Sequence, residues 1–402
     1  MFIKKEIVGY SLRSIAKRKT RSILTILSIF IGITSIFIFI SFGFGLYAYI
    51  NSFSTSTSAD KITVMPKGNS APGLDNSFSL NDSDVKAIER TAGISEATGV
   101  YSTAAEITQK TDKKYVFLVS YDPAKPLVLE LASVNVIQGR ALQSNDVGKA
   151  VVGYNYLVDN KIFPNGYKLG DNLVVNGQNV RIVGILASMG NPQDDSQIYV
   201  TNEYFKKLYP NVTNYAEIIG RADINDMTNT IKRVEKNLRN SRSEKVGEED
   251  FYVASFQDLI AQFSSALNIV IGFVILIALI SVLVSAVNTA NTMITSVLER
   301  TREIGTMKAV GARNKEILKI FLFESAFLGF IAGIIGTLIG FLISYSIGSI
   351  LANLGWGFLK PGYPWYLFVG TIAFATITGA ISGIWPAYRA SKLKTVEALR
   401  YE

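Results

Sequence analysis

Forty consecutive residues, 259–298, carry no charge, and among the forty from 320 to 359 only Glu324 is ionisable. A bilayer core about 30 Å thick takes roughly 20 apolar residues of helix, so each run holds a membrane span with length to spare. The uncharged run 22–50 and the apolar stretch from about 365 to 387 bring the expected spans to four. At 1.5 Å per residue, 22–50 would form about 43 Å of helix and 259–298 about 60 Å. The first helix either tilts or continues out of the membrane, and tilt cannot absorb the second excess. The lengths therefore predict that both helices leave the membrane as a stalk, with Phe263, Leu267 and Val270 on one stripe beyond the lipid.

Charge sets the orientation. Residues 1–21 carry seven Lys/Arg, the segment between the second and third runs six, and the chain after Pro386 four; residues 51–258 carry 22 basic and 25 acidic side chains. The positive-inside rule puts the three basic segments, and so both termini, in the cytoplasm. The net charge of +8 then belongs to membrane orientation and anionic lipid. No basic patch with interleaved aromatics points to nucleic acid. In residues 1–21, Ile3, Ile7 and Tyr10 share a helical stripe that predicts an amphipathic interfacial helix. A basic start before an apolar run also fits a secretory signal, but 22–50 is too long for one and no small-residue cleavage site closes it.

Between the first two spans the pattern becomes that of a soluble α/β domain. Lys61-Ile-Thr-Val64 alternates as a strand, and Asn81 caps a short helix with Val85 and Ile88 inward and Gly93 at its end. Tyr115-Val-Phe-Leu-Val-Ser-Tyr121 is an apolar run of strand length, and Asn176-Gly177 supplies a two-residue hairpin turn between two apolar strands. Met227, Ile231, Val234 and Leu238 mark an amphipathic helix. The interleaving predicts a mixed sheet with helices, in one or two subdomains. The fold class is thus membrane α-helical, four transmembrane helices, with an inserted extracytoplasmic α/β domain on a helical stalk. In chain order it reads: interfacial helix, 1–21; span one, 22–50; external domain with stalk ends, 51–258; stalk and span two, 259–298; cytoplasmic segment, 299–318; span three, 319–350; external loop, 351–364; span four, 365–387; cytoplasmic tail, 388–402.

Two features of the spans concern packing. Gly329, Gly333, Gly336 and Gly340 lie on one face of span three, and Gly379 and Gly383 repeat the device in span four. Lipid supplies no hydrophobic drive between helices, so close approach at small residues predicts a seam against another span or a second copy. Ser281, Ser285, Asn288, Thr292 and Thr295 line one face of span two. With no ionisable residue among them, hydrogen bonding between helices is favoured over a substrate or water path. Pro386 is expected to end or kink the last helix.

Chemistry is sparse. The chain has no cysteine and no histidine, which removes thiolate sites, the commonest general base and the commonest transition-metal ligand. No phosphate-binding loop occurs: Gly148-Lys149 is followed by Ala150, which offers no hydroxyl to magnesium. Asp194-Asp195 follows Asn191-Pro192 and reads as a solvated turn rather than a metal or acid/base pair. Neither catalytic, cofactor-binding nor metal-ligating residues are expected in this chain.

Glu299-Arg-Thr-Arg-Glu-Ile-Gly305 followed by Lys308-Ala-Val-Gly-Ala312 resembles the coupling-helix signature of MacB-type (FtsX-like) ABC-transporter permeases. Pro386-Ala-Tyr-Arg-Ala390 and the terminal Glu397-Ala-Leu-Arg400 resemble the same family's last span and tail, as do Asn291 and the Glu324-Ser325 pair. More loosely, Gly139-Arg140, Lys168-Leu-Gly-Asp171 and Val180-Arg-Ile-Val-Gly-Ile185 follow the order of its periplasmic core domain. The resemblance implies a permease of a prokaryotic cell membrane that works as a homodimer with a separate ABC ATPase, which would hold the ATP-Mg. Glu299, Arg300, Arg302, Glu303, Gly305, Lys308, Gly311 and Ala312 would form the ATPase coupling segment, Arg300 and Arg302 touching the ATPase while Gly305 and Gly311 allow tight turns. It implies export of the macrolide or antimicrobial-peptide type by mechanotransmission. The alternatives within it are FtsX-like signalling to an external partner and lipoprotein release. ATP-driven flux would distinguish export from activation of an external hydrolase without transport.

Overall fold

The computed structural model describes residues 19–54, 58–67 and 79–400. Most of the interfacial helix expected over 1–21 lies outside them, as does most of the polar loop before Ser79. Four described helices are long and apolar enough to cross a membrane: α1 (Lys19–Ser54), α6 (Phe256–Glu299), α8 (Asn314–Asn353) and α9 (Trp365–Lys392). They agree with the four runs read from the sequence. The chain packs into two units: one from Met1–Leu46, Ala266–Ile350 and Leu359–Glu402, the other from Tyr47–Ser265 and Leu351–Phe358.

In the first unit, glycine decides how near the helices come. A Cβ on Gly329 would fall 2.5 Å from the Ala375 carbonyl oxygen, and one on Gly379 2.6 Å from that of Ser325. Gly333 faces Ala375 and Ile372, and Gly383 faces Ser325, so this half of the seam joins α8 to α9. Gly336 and Gly340 instead meet Phe30, Ile33 and Phe37 of α1. One stripe therefore serves two neighbours of the same chain, because α1 and α9 contact α8 at different heights. Thr34 donates to the Gly336 carbonyl at 3.2 Å, a bond that such close approach permits. Pro386 does not end α9, which continues six residues further to Lys392.

Helix α6 is packed differently. Ile271 lies against Gly43 of α1 and Ser281 against Gly32. Phe263 and Val270 are exposed and Leu267 half-buried, so the stripe expected to join the stalk helices is not the one that packs. The polar stripe also differs from expectation. Ser281, Thr292 and Thr295 donate to the carbonyls of Ile277, Asn288 and Asn291, four residues back on their own helix. A hydroxyl in a helix can satisfy itself this way, which removes the need for a partner helix. Asn288 is half-buried, and the buried Ser285 hydroxyl has no hydrogen-bond partner among the described residues.

The second unit contains two sheets. The smaller is antiparallel with order β11 (Phe251–Ser255), β1 (Lys61–Pro66), β10 (Glu217–Ala222), β2 (Ile94–Val100). Ile62 opposite Ser255 sets the register of β1 and β11, so α1 leads into, and α6 out of, neighbouring strands. Helices α2 (Asp82–Glu89) and α5 (Met227–Arg242) cover one face through Ile88, Val234 and Leu238. Asn81 caps α2 as the sequence predicts, with Asp84 answering in a capping box, but the helix stops before Gly93, which forms the following turn.

The larger sheet has the order β5 (Val136–Gly139), β8 (Gln178–Leu186), β6 (Lys149–Val152), β9 (Ile198–Thr201), β4 (Asp112–Tyr121), β3 (Ser102–Gln109), β7 (Asn172–Val175). Because β7 also pairs with β8, six of these strands close into a barrel with β5 outside it. Closure leaves those strands no free edge. Asn176 and Gly177, at φ 48° and 76°, make the hairpin turn that shapes the β7–β8 pair. Ile107, Leu118, Val152, Val175, Ile182 and Val200 share one buried core, and α4 (Asn202–Leu208) adds Tyr204 and Phe205 to it. A mixed sheet was legible; its closure was not.

An ion network ties a short helix to the smaller sheet. Lys61 is fully buried, bonded to Asp60 and 2.9 Å from Glu130 of α3 (Leu127–Leu131). Arg221 reaches Asp60 at 2.9 Å, Glu96 at 2.7 Å and Glu130 at 2.7 Å. Asp194-Asp195 is not the solvated turn expected. Asp195 is 1% exposed and accepts from Ser188 Oγ at 2.7 Å and from the Met189 and Gly190 amides at 2.6 and 3.2 Å, so it staples its own loop. Burial pushes the neighbouring Asp194 carboxyl up.

Candidate functional site

The segment with the strongest motif content folds as α7 (Thr301–Ala309), a short helix between α6 and α8. A single residue outside regular helix, Arg300, separates it from α6. Residues 300, 304 and 308 are one turn apart and share a face. That face points inward. Ile304 is fully buried with Met293, Val297, Ile317, Phe321, Ala387 and Ala390, contributed by α6, α8 and α9.

Both ends of α7 are clamped. Arg300, 3% exposed, donates from Nη1 to Glu324 Oε2 of α8 at 3.0 Å and from Nε to Glu303 at 3.1 Å. Its guanidinium also lies 5.3 Å from the centre of the Phe321 ring. At the other end, Lys308 donates to the carbonyls of Ser391 at 2.7 Å and Leu393 at 2.6 Å, the open backbone acceptors where α9 ends. Burial, with help from the nearby Lys392 charge, pushes the Lys308 ammonium down. The short α10 (Thr395–Arg400) also packs on α7 and buries Ala398.

The stop signal is a Schellman turn. Ala312 N–H donates to the Met307 carbonyl at 3.0 Å and Gly311 N–H to that of Lys308 at 3.0 Å, with Gly311 at φ +106°. Gly311 thus makes the tight turn expected of it. Gly305 does not: it is buried within α7.

The outer face keeps Arg302, Glu303 and Thr306 exposed, with Glu299 just before α7 and Arg313 just beyond it. Between the last two Val310 is 91% exposed, an apolar tip among basic residues. Arg300 and Arg302, expected to act together, therefore point to different surroundings. Glu324, as partner of Arg300, was missed. Its signal was present, since a lone carboxylate in an apolar span calls for a partner. Val310 was missed because a valine inside the motif carries no charge pattern. Among the described residues no cluster of three or more carboxylates could hold a metal ion.

Two family models cover most of the chain: the MacB-like periplasmic core domain over residues 22–237 and the FtsX-like permease C-terminal domain over 275–395. An uncharacterised ABC transporter permease of Methanocaldococcus jannaschii is 32% identical over 99% of this chain and 98% of its own length. The chain belongs to the MacB-like ABC transporter permeases. A further uncharacterised ABC transporter permease, YknZ of Bacillus subtilis, is 28% identical over 99% of each protein. The macrolide export ATP-binding/permease protein MacB of Neisseria gonorrhoeae is 26% identical, aligned over 97% of this chain and 60% of its own length. In this MacB-like permease, α7 carries the motif between the second and third candidate spans, and the family implies an ABC ATPase as partner.

Proposed function

We propose that this chain is the permease subunit of an exporter of the macrolide or antimicrobial-peptide type, passing the motion of a separate ATPase to its external domain. The observation that carries the reading is the two-sided construction of α7. Its inner face is fixed to α8 through Arg300–Glu324 and to α9 through Lys308, while Arg302, Thr306 and Val310 stay free for docking. A force on the outer face then moves two spans together. ATP and magnesium belong to the ATPase, both termini to its side of the membrane. A second copy is part of the reading: only 6% of the most apolar stretch of α6 is buried, leaving Leu276, Leu279, Leu283 and Val287 exposed.

Reversing charge at Arg302 and Glu303, or placing Asp at Val310, should abolish stimulation of the cognate ATPase by the permease in reconstituted vesicles. Stimulation equal to that of the native protein would refute the docking role of α7.

A further inference from the structure

The far end of α9 presents a face of a different kind from that of α6. Ile377, Ile381 and Ile384, at steps of four and three, are all more than half exposed. Trp385 and Tyr388 follow on the same side, exposed by 51% and 54%. Arg389 and Lys392 come next, both exposed. The Arg389 guanidinium lies 4.2 Å from the centre of the Trp385 ring, and the Lys392 ammonium 5.7 Å from that of Tyr388. Within about four turns the face therefore passes from aliphatic to aromatic to cationic, the order met on crossing one lipid leaflet outward.

The cations are also uncompensated. Among the described residues neither Arg389 nor Lys392 forms an ion pair, and the nearby Glu397 is taken by Lys394 at 2.9 Å. Lys308 adds a third positive charge, its Nζ committed to the α9 carbonyls. Stacking on an aromatic face leaves the guanidinium N–H edge free to donate to an anion. A wholly apolar face such as that of α6 suits neutral lipid or another helix. A face ending in two unpaired cations suits a phosphate with chains attached.

We propose that this face of α9 binds an anionic phospholipid in the leaflet nearest α7, its phosphate held by Arg389 and Lys392 and its acyl chains lying along Ile384, Ile381 and Ile377. Negative charge there offsets the repulsion between Lys392 and Lys308 and so tightens the α7–α9 clamp. That consequence rests on the coupling role proposed for α7; the binding itself does not.

The test uses the full-length permease with its ATPase in phosphatidylcholine nanodiscs, with and without phosphatidylglycerol. Phosphatidylglycerol should raise the melting temperature and stay bound in native mass spectra. Arg389→Gln with Lys392→Gln should weaken its retention roughly thirtyfold, at the usual contribution per interfacial cation. Lys315→Gln with Lys319→Gln, equal in charge but off the face, should change it little. Trp385→Leu, which keeps both charges, should give an intermediate loss. Equal stabilisation of the Arg389/Lys392 variant and the native chain would overturn the site. So would equal losses in the two charge variants, or stabilisation by inorganic phosphate matching that by the lipid. An Ile381→Cys disulfide between two copies in native membranes, in a chain otherwise free of cysteine, would also overturn it by putting protein on this face. ATPase stimulation absent in every lipid would refute the coupling reading alone; intact stimulation without lipid discrimination would refute the lipid site alone.

Discussion

The two units meet the same difficulty, charge inside a folded body, in opposite ways. The membrane unit holds its helices by glycine approach and buries an ion pair, Arg300–Glu324. The external unit has greasy cores of its own and still ties α3 to its smaller sheet with a shared network in which Lys61 and Arg221 divide Asp60, Glu96 and Glu130. Water supplies a hydrophobic drive that lipid does not. The external unit can therefore carry redundant charges, while the membrane unit depends on shape and on the buried contact between Arg300 and Glu324.

That contrast is sharpest under deletion. Arg300→Met takes the guanidinium from a buried carboxylate and should cost about 3–5 kcal/mol of stability. Arg300→Met with Glu324→Leu should recover much of the loss. Lys61→Met should cost less, about 1–3 kcal/mol, because Arg221 still faces both carboxylates that Lys61 served. Thermal unfolding of the full-length chain in one detergent would rank the three. A Lys61 variant weaker than the Arg300 variant would break the argument from redundancy.

A smaller effect separates seam from surface within the membrane unit. Gly329→Ala drives a methyl against the Ala375 backbone and should cost about 1–3 kcal/mol, since backbone cannot swing aside. At Gly272 in α6 the same methyl meets nothing within 4 Å, and Gly272→Ala should gain about 0.5–1 kcal/mol from helix propensity. Equal effects at the two sites would show that small residues in these helices reflect composition rather than packing.

Local patterns carried far in this chain, and long-range pairing did not. Uncharged length gave the four spans, Asn176-Gly177 the hairpin and Asn81 the cap, each requiring only neighbours in sequence. Closure of the barrel rests on Ile107 meeting Val175, and β10 on register with strands more than a hundred residues away; no window contains both halves. At the site, the motif located α7 but not its faces. Arg300, Ile304 and Lys308 recur every four residues, so the inward side was available from periodicity alone. The two arginines were grouped by charge instead, although they stand two positions, and so about 200°, apart on a helix. Asp195 escaped because a carboxylate that caps its own loop has the same sequence signature as one in water.

The gentlest test uses a carboxylate of the external unit that is set by burial rather than by an ion pair. Glu217 on β10 is partly buried beside Tyr199 and Tyr252, and among the described residues no cation pairs with it; burial pushes its pKa from 4.5 up to about 7. Below about pH 4.5 the folded and unfolded chains both hold the proton, and Glu217 costs nothing. Between pH 4.5 and 7 the unfolded chain releases it first, so stability falls with rising pH and levels off once the folded carboxyl ionises. Glu217→Gln should therefore be neutral near pH 4 and stabilise by about 2 kcal/mol at pH 8, a shift of this size being reduced by partial exposure to solvent. Asp146 supplies the opposite sign. Arg140 and Lys149, at 2.5 and 2.7 Å, hold its carboxyl well below the usual range, so its contribution is present at neutral pH and is lost as pH falls through the acid range. The melting temperature of Glu217→Gln should rise above native between pH 4 and 8, whereas that of Asp146→Asn should stay below native throughout that range and approach it only as pH falls below about 4. A Glu217→Gln curve that ran parallel to native across pH 4–8 would refute the cost assigned to burial.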